Sequence, residues 1–328
     1  MLSLRLKRFQ MTASFFMEAE KNCCSNWSGG SMRGTMEKKS VISLIIPTLN
    51  AGNQLQTLLK RLDSQTVKPD EVLIVDSESN DETTATAEAF GAKVLSIRRA
   101  SFDHGGTRDY ALRQSKGDIV IFMTQDACPA DENAIAALVA PFDNPRVAAV
   151  SGRQIARAEA KEPEKLVREY NYPPVSRTWG EEAIEKYGVK AFMISDVFAA
   201  YRREAYLAAG GFDHPIMTNE DMLMAQKLLA QKWLIAYAAE AQVIHSHQFT
   251  FRQQFERNKI IGQTMKRYEE RFCHVQEIGE GVSMAKKVLV CLVKGGKIED
   301  AFSFCWDCFA RLLGNRYGRY IEKRKKHD

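Results

Sequence analysis

In GDIVIFMTQDACP, residues 117–129, five apolar side chains from Ile119 to Met123 lead straight into Thr124, Gln125 and Asp126. A carboxylate at that point can hold a divalent cation, because magnesium needs only one or two protein carboxylates when phosphate oxygens complete its shell. His245 and His247 alternate along AQVIHSH, so on a strand both point to one face. Imidazole ligands favour manganese over magnesium, although a histidine there serves equally well as a hydrogen-bonded structural residue. Asn219-Glu220-Asp221 reads as a helix start, with Asn219 as its cap and both acids where the helix dipole favours their charge. As a catalytic pair, one acid would take a proton and the other would orient it. As a bland alternative, acids in a first turn are commonplace.

Other segments offer contacts to a phosphate or a nucleoside. Asp76 and Ser77 lie in VDSESND, where a carboxylate can accept from a base N–H or a ribose hydroxyl. An N-cap is the alternative, and a stronger one for Asp81. FDHGGTRD combines Gly105 and Gly106, which permit close backbone approach, with Arg108, a planar fork for phosphate. Alone, that segment reads equally as a turn with a surface arginine. The first apolar run ends in PTLNAG, with neither a G-x-G-x-x-G nor a P-loop, which disfavours the usual dinucleotide and ATP folds.

The elements that must hold these residues follow from periodicity. VISLIIP, EVLIVDS, KVLSI and DIVIFM read as strands. Between them come helices, the first carrying Leu55, Leu58, Leu59 and Leu62 on one face, then NDETTATAEAFG and TRDYALRQSKG. A further helix is expected to start at Asp131 as its N-cap. Near-continuous apolar strands alternating with helices predict an α/β fold with a mostly parallel sheet covered on both faces. Such sheets bind ligands at the carboxyl ends of their strands. There lie Thr48 and Asn50, Asp76 and Ser77, then Thr124 to Asp126. After about residue 150 the pattern becomes mixed, and from Phe249 it is mostly helical.

Composition narrows the class further. The 328 residues are 45% hydrophobic and 27% charged, ordinary for a soluble protein with a sizeable core. A net charge of +5 permits an anionic ligand or membrane surface without demanding one, and much of the excess sits in residues 316–328. No apolar run approaches the roughly 20 residues that span a bilayer. The seven cysteines are irregularly spaced, and the Cys305–Cys308 pair lacks a second pair for zinc, so thiols of a reducing cytoplasm are expected. Residues 1–39 read as a disordered extension or an upstream start, with Met36 as the candidate true start.

Taken in order, PTLN, VDSESND, the Gly-Gly-Thr-Arg segment, TQDA, NED and a late histidine resemble the family 2 glycosyltransferases of GT-A fold. HGGTRD and TQDA are similar to the bacterial rhamnosyltransferase branch. The resemblance covers about residues 40–275. It implies a nucleotide-sugar half at about 40–150, an acceptor half at about 151–275, and a helical, basic segment at 276–328. It implies inverting transfer of a sugar, rhamnose by the branch, from a nucleoside-diphosphate sugar such as dTDP-rhamnose to a glycan or lipid-linked acceptor. By the same resemblance Pro47, Thr48 and Asn50 contact the nucleotide, Asp76 contacts the base, and Arg108 is the donor-loop arginine. Ser77, Gly105, Gly106 and Gln125 are grouped with them as donor-binding. Asp126 matches the last acid of a magnesium or manganese motif, His245 with His247 the late metal-facing position, and Asp221 with Glu220 the catalytic acids. Gln125 departs from the pattern, since family members often carry a further acid there, which leaves the cation site one charge short. The last segment, from AFSFCWDC onward, is expected as a helical cap or as a membrane-surface contact at the inner face of the cell membrane.

Two other classes compete. A nucleotidyltransferase would need a basic glycine-rich loop after the first strand, which PTLNAG does not supply. A non-catalytic sugar-binding or scaffold protein of the same fold is suggested by Gln125 and opposed by Asp126, Glu220, Asp221 and His245. Nucleic-acid binding lacks an aromatic and basic recognition pattern.

Overall fold

The computed structural model describes residues 40–272 and 280–325. The expectation for residues 1–39, and the boundary expected near 275, lie outside the described residues. The first half runs β1 (Ile42–Thr48), α1 (Gly52–Asp63), β2 (Glu71–Asp76), α2 (Thr83–Ala89), β3 (Lys93–Ser96), α3 (His104–Gln114), β4 (Ile119–Met123), β5 (Cys128–Pro129) and α4 (Ala134–Val139). Then come β6 (Val147–Ile155), α5 (Glu162–Asn171), β7 (Arg177–Trp179), α6 (Glu182–Tyr187), β8 (Phe198–Arg202), α7 (Arg203–Ala208), α8 (Glu220–Ala230) and β9 (Leu234–Ile244). Three helices follow: α9 (Phe251–Arg267), α10 (Glu280–Lys294) and α11 (Ile298–Lys325).

One sheet has the order β3-β2-β1-β4-β8-β6-β9-β5, with β7 also on β9. β3, β2, β1 and β4 are parallel, as their continuous apolar runs predict. β8 runs antiparallel to both β4 and β6, so the complete sheet is mixed. Both faces are covered. Leu44, Ile46, Ile74, Ile121 and Met123 meet Leu55, Leu58, Leu59 and Leu62 of α1 and Leu138 of α4. Ile45, Leu73, Val75, Val120 and Phe122 meet Leu112 of α3 and Leu223, Met224 and Leu228 of α8. Each such side chain, once buried, contributes about 1.5–3 kcal/mol, which is why these strands carry apolar residues at successive positions.

Two helix starts differ from expectation. α3 begins at His104, because Asp103 accepts from the Gly106 N–H at 2.8 Å and caps it early. α4 begins at Ala134, and Asp131 instead accepts from Asn133 N in a tight turn. Gln65 takes over the cap, accepting from Ile135 N at 3.0 Å while donating to the Asp131 carbonyl at 2.7 Å.

The C-terminal helix is joined closely to the domain. Gly314 and Gly318 of α11 and Gly262 of α9 sit where a Cβ would fall on the backbone of the facing helix, for Gly318 on the carbonyl of Lys259. Exchanging glycine for alanine in a helix normally gains about 1 kcal/mol. Here crowding reverses the sign, so Gly318→Ala should lower the thermal midpoint; a rise would show that the helices do not pack this tightly. The outer side of α11 is exposed and aromatic. Phe302, Trp306 and Tyr320 are 75%, 60% and 55% exposed, and Phe309, Leu313 and Tyr317 continue the stripe at three- and four-residue steps. Among the described residues, no helix is long and apolar enough to cross a membrane.

Candidate active site

The carboxyl ends of the strands converge on three donor atoms. Asp126 follows β4, and His245 and His247 follow β9, so the histidines stand just past the strand rather than within it. Asp126 Oδ2 lies 3.3 Å from His245 Nε2 and 3.1 Å from His247 Nε2, and the two Nε2 atoms are 2.8 Å apart. Donor atoms this close need a proton or a cation between them. His245 Nδ1 faces Gln154 Oε1 at 3.0 Å, and because that oxygen only accepts, Nδ1 carries the proton and Nε2 is left for a ligand. Burial, partly opposed by Asp126, lowers the proton affinity of His245, which keeps the lone pair available. Burial also disfavours charge on Asp126, yet the two adjoining imidazoles outweigh it and hold the carboxyl well below the usual carboxylate range. One carboxylate and two imidazoles, the only such group of acids, histidines and cysteines among the described residues, fit a divalent cation.

Gln125 does not point its amide at that cluster. Its Oε1 accepts from Leu49 N at 2.8 Å and its Nε2 donates to Leu49 O at 3.2 Å, a two-point clamp on the turn after β1. Its amide is committed to the backbone, so Gln125 itself offers no ligand to the cluster, which keeps Asp126 as its one acid. An acid could only accept, so Gln125→Glu would set a carboxylate against the Leu49 carbonyl. The expected loss is about 1–3 kcal/mol, read by denaturant unfolding; unchanged stability would mean that the clamp is not formed.

The turn that Gln125 grips sits beside the end of β2. Thr48 Oγ1 donates to Asp76 Oδ1 at 3.2 Å, and Asp76 also accepts from Ser79 N at 2.9 Å. Asn50 adopts φ 48°, a left-handed conformation that asparagine tolerates, and its Oδ1 accepts from Asn80 N at 2.9 Å. Pro47 lies one residue before Thr48 in β1. Asp81 accepts from Thr83 N at 3.1 Å, in the turn before α2. Buried Ser77 keeps an Oγ without a hydrogen-bond partner among the described residues.

A second group of charges is buried between α3 and α8. Arg108 is only 3% exposed. Its Nη1 lies 3.2 Å from Glu220 Oε1, and its Nε 3.8 Å from Asp196 Oδ2. This corrects the expectation of an open fork for phosphate: the guanidinium is enclosed by acids and by the His104 carbonyl at 3.1 Å. Gly105 and Gly106 likewise serve packing within the first turn of α3. A Cβ on Gly105 would fall on the Asp213 carbonyl, and one on Gly106 would strike the Asp103 cap.

Asp221 completes the group. Its Oδ1 accepts from Met222 N at 2.7 Å and its Oδ2 from Asp196 N at 3.3 Å. Glu220 and Asp196 thus share one guanidinium while Asp221 is held by backbone N–H groups, and the excess negative charge must be relieved by protons. Burial, then repulsion from Glu220 and Asp196, raises the Asp221 carboxyl well above its ordinary range. Burial pushes Asp196 up to about 7, with Arg108 opposing and Glu220 assisting. Asn219 adopts φ 64° and its side chain makes no capping bond, so the expected cap is absent; Thr218 Oγ1 donates to its amide oxygen instead.

Residues missed in the sequence link the two groups. Gln154 of β6 accepts from His245 and Arg168, and its Nε2 donates to Ser195 Oγ at 2.9 Å. Ser195 precedes Asp196, whose N–H reaches Asp221. The only signal was a lone buried glutamine in VAAVSGRQI and a lone acid in ISDVF.

A curled sheet with cation ligands and an acidic pair gathered at its strand ends is the frame of GT-A glycosyltransferases. The chain belongs to glycosyl transferase family 2, whose model matches residues 43–208. It is similar to the O-antigen chain rhamnosyltransferase RfbN of Salmonella typhimurium, 40% identical over 66% of this chain and 69% of the relative. It is 37% identical to the O-antigen chain rhamnosyltransferase WbaN of Salmonella anatum, over 66% of this chain and 69% of that one. Among solved structures, the mannosyltransferase PcManGT from Pyrobaculum calidifontis in complex with GDP-Man and Mn²⁺ shares the fold. Its TM-score is 0.60 with 16% identity, over 96% of this chain and 97% of that one. The resemblance read from the sequence therefore holds for the family, the fold and the rhamnosyltransferase branch.

Proposed function

We propose that this glycosyltransferase moves a sugar, rhamnose by its relatives, from a nucleoside-diphosphate donor to a hydroxyl of a cell-surface glycan or lipid-linked precursor, with inversion. The observation that carries this reading is the hydrogen-bonded path from His245 through Gln154 and Ser195–Asp196 to Asp221. It fixes a cation cluster and a proton acceptor relative to one another.

Asp221, once ionised, accepts the proton of the acceptor hydroxyl. That oxygen forms a bond to the anomeric carbon on the face opposite the diphosphate, and the bond to the diphosphate breaks with its electron pair. Glu220 holds Arg108, and Arg108 with Asp196 sets the field around Asp221. Thr48, Asn50, Asp76 and Ser77 receive the nucleoside. Asp126, His245 and His247 would hold magnesium or manganese, which when bound neutralises charge on the departing diphosphate.

The test is a panel of nucleotide sugars with magnesium, manganese or EDTA, followed by release of free nucleoside diphosphate. Release from one donor, lost in EDTA, is expected. Donor binding without release in the presence of acceptor glycans would favour the non-catalytic reading. The exposed aromatic stripe of α11, with Arg316, Lys323 and Arg324 along it, supports a peripheral contact with an anionic membrane face. Co-sedimentation with anionic phospholipid vesicles should weaken in a Phe302→Ser/Trp306→Ser variant; equal binding would remove the membrane reading.

A further inference from the structure

Beside the cation cluster lies a cavity of about 360 Å³, walled by α5, α9 and α11 and bordered by His245 and His247. Each helix sends one arginine into it: Arg168 from α5, Arg257 from α9 and Arg311 from α11. The acids on its wall are already engaged. Glu164 accepts from His247 N at 3.0 Å, and Asp307 accepts from Arg311 Nε at 2.7 Å. Arg168 donates to Gln154 Oε1. Arg257 lies over the Phe249 ring at 5.3 Å and has no ion-pair or hydrogen-bond partner among the described residues. Burial, then repulsion from Arg311 and Arg168, lowers its pKa, as expected of a buried cation among like charges.

Side chains of like charge are not gathered at a concave site without cost, and an anion relieves it. Guanidinium forks from three helices match a tetrahedral, multiply charged oxyanion better than a planar carboxylate, which one fork satisfies. We infer that this cavity binds a phosphate group through Arg257, Arg311 and Arg168.

Its place favours a phosphate carried by the acceptor over the diphosphate of the donor, an assignment that rests on the function proposed above. Thr48, Asn50, Asp76 and Ser77 do not line the cavity, whereas Ser195 and Tyr172 do. Ser195 adjoins Asp196, whose N–H reaches Asp221. The cavity wall is thus linked through Ser195–Asp196 to the group that would deprotonate the acceptor. An acceptor of this kind is a glycan on a phosphate- or diphosphate-bearing carrier.

Inorganic pyrophosphate, titrated into the full chain in EDTA by calorimetry, isolates the arginines from any cation. The wild type should bind, and Arg257→Gln/Arg311→Gln should weaken binding at least tenfold. Arg257→Lys, which keeps the charge and loses the fork, should fall between. No binding by the wild type, or binding by the double variant within twofold of it, would overturn the site. Thymidine diphosphate titrated with manganese then assigns the source. Unchanged affinity in the double variant places the acceptor's phosphate in the cavity, and an equal loss places the donor's there. Neither titration depends on turnover, so the site and the proposed activity can fail separately.

Discussion

Asp221→Asn should lower turnover by about 10²- to 10⁴-fold, the span expected on removing a general base, and leave nucleotide-sugar binding nearly intact. The side chain keeps its size, but an amide cannot take the proton of the acceptor hydroxyl. Nucleoside diphosphate release under saturating donor measures the first effect and calorimetry with the donor the second; near-normal turnover would refute the assignment. The pH profile adds a stricter check. Burial and the neighbouring acids Glu220 and Asp196 raise the Asp221 carboxyl, so activity should climb as pH rises and that proton is lost. Asp196→Asn removes one like charge, lowers the Asp221 pKa, and should move the acid limb to lower pH. A limb that stays or moves upward would show that Asp196 does not act on Asp221.

Asp126→Ala should abolish manganese binding detectable by electron paramagnetic resonance, and with it the release of nucleoside diphosphate. The cluster has one anionic ligand, and among the described residues no second acid joins it to compensate for its loss. Gln154→Leu tests the support of that cluster. It removes the acceptor that fixes the proton on His245 Nδ1, and loss of such a partner typically costs 10–100-fold in metal affinity. Manganese bound by Asp126→Ala as tightly as by the wild type would show that the cation is held elsewhere.

The parallel half of the fold was legible because its strands are apolar on both faces and separated by helices of clear period. The same contrast exposed Thr48, Asp76 and Asp126, since a polar residue closing an apolar run marks a strand end. His245 and His247 were legible as a pair, although they stand beyond their strand. What stayed hidden depends on distant partners. Nothing near Arg108 in the chain announces that Glu220 and Asp196 will enclose it. Asp196 and Gln154 are single polar residues in apolar surroundings, without a repeating spacing to flag them. Asp131 looked like a cap because Gln65, the residue that does the capping, lies far earlier in the chain. The mixed direction of the sheet turns on β8, which reads as apolar whichever way it runs.

The clamp between Gln125 and Leu49 separates two events that adjacent residues would otherwise join. On the function proposed above, Asp126 would change its electrical state whenever a cation arrived or left. Its neighbour is a carboxamide, neutral at every physiological pH, and its grip on the β1 turn does not depend on that exchange. On that same function, the turn that would receive the nucleoside is held independently of the occupancy of the ion site. The turn would then act as a fixed pin rather than a lever, and donor recognition would keep one shape through a full cycle of cation loading and release.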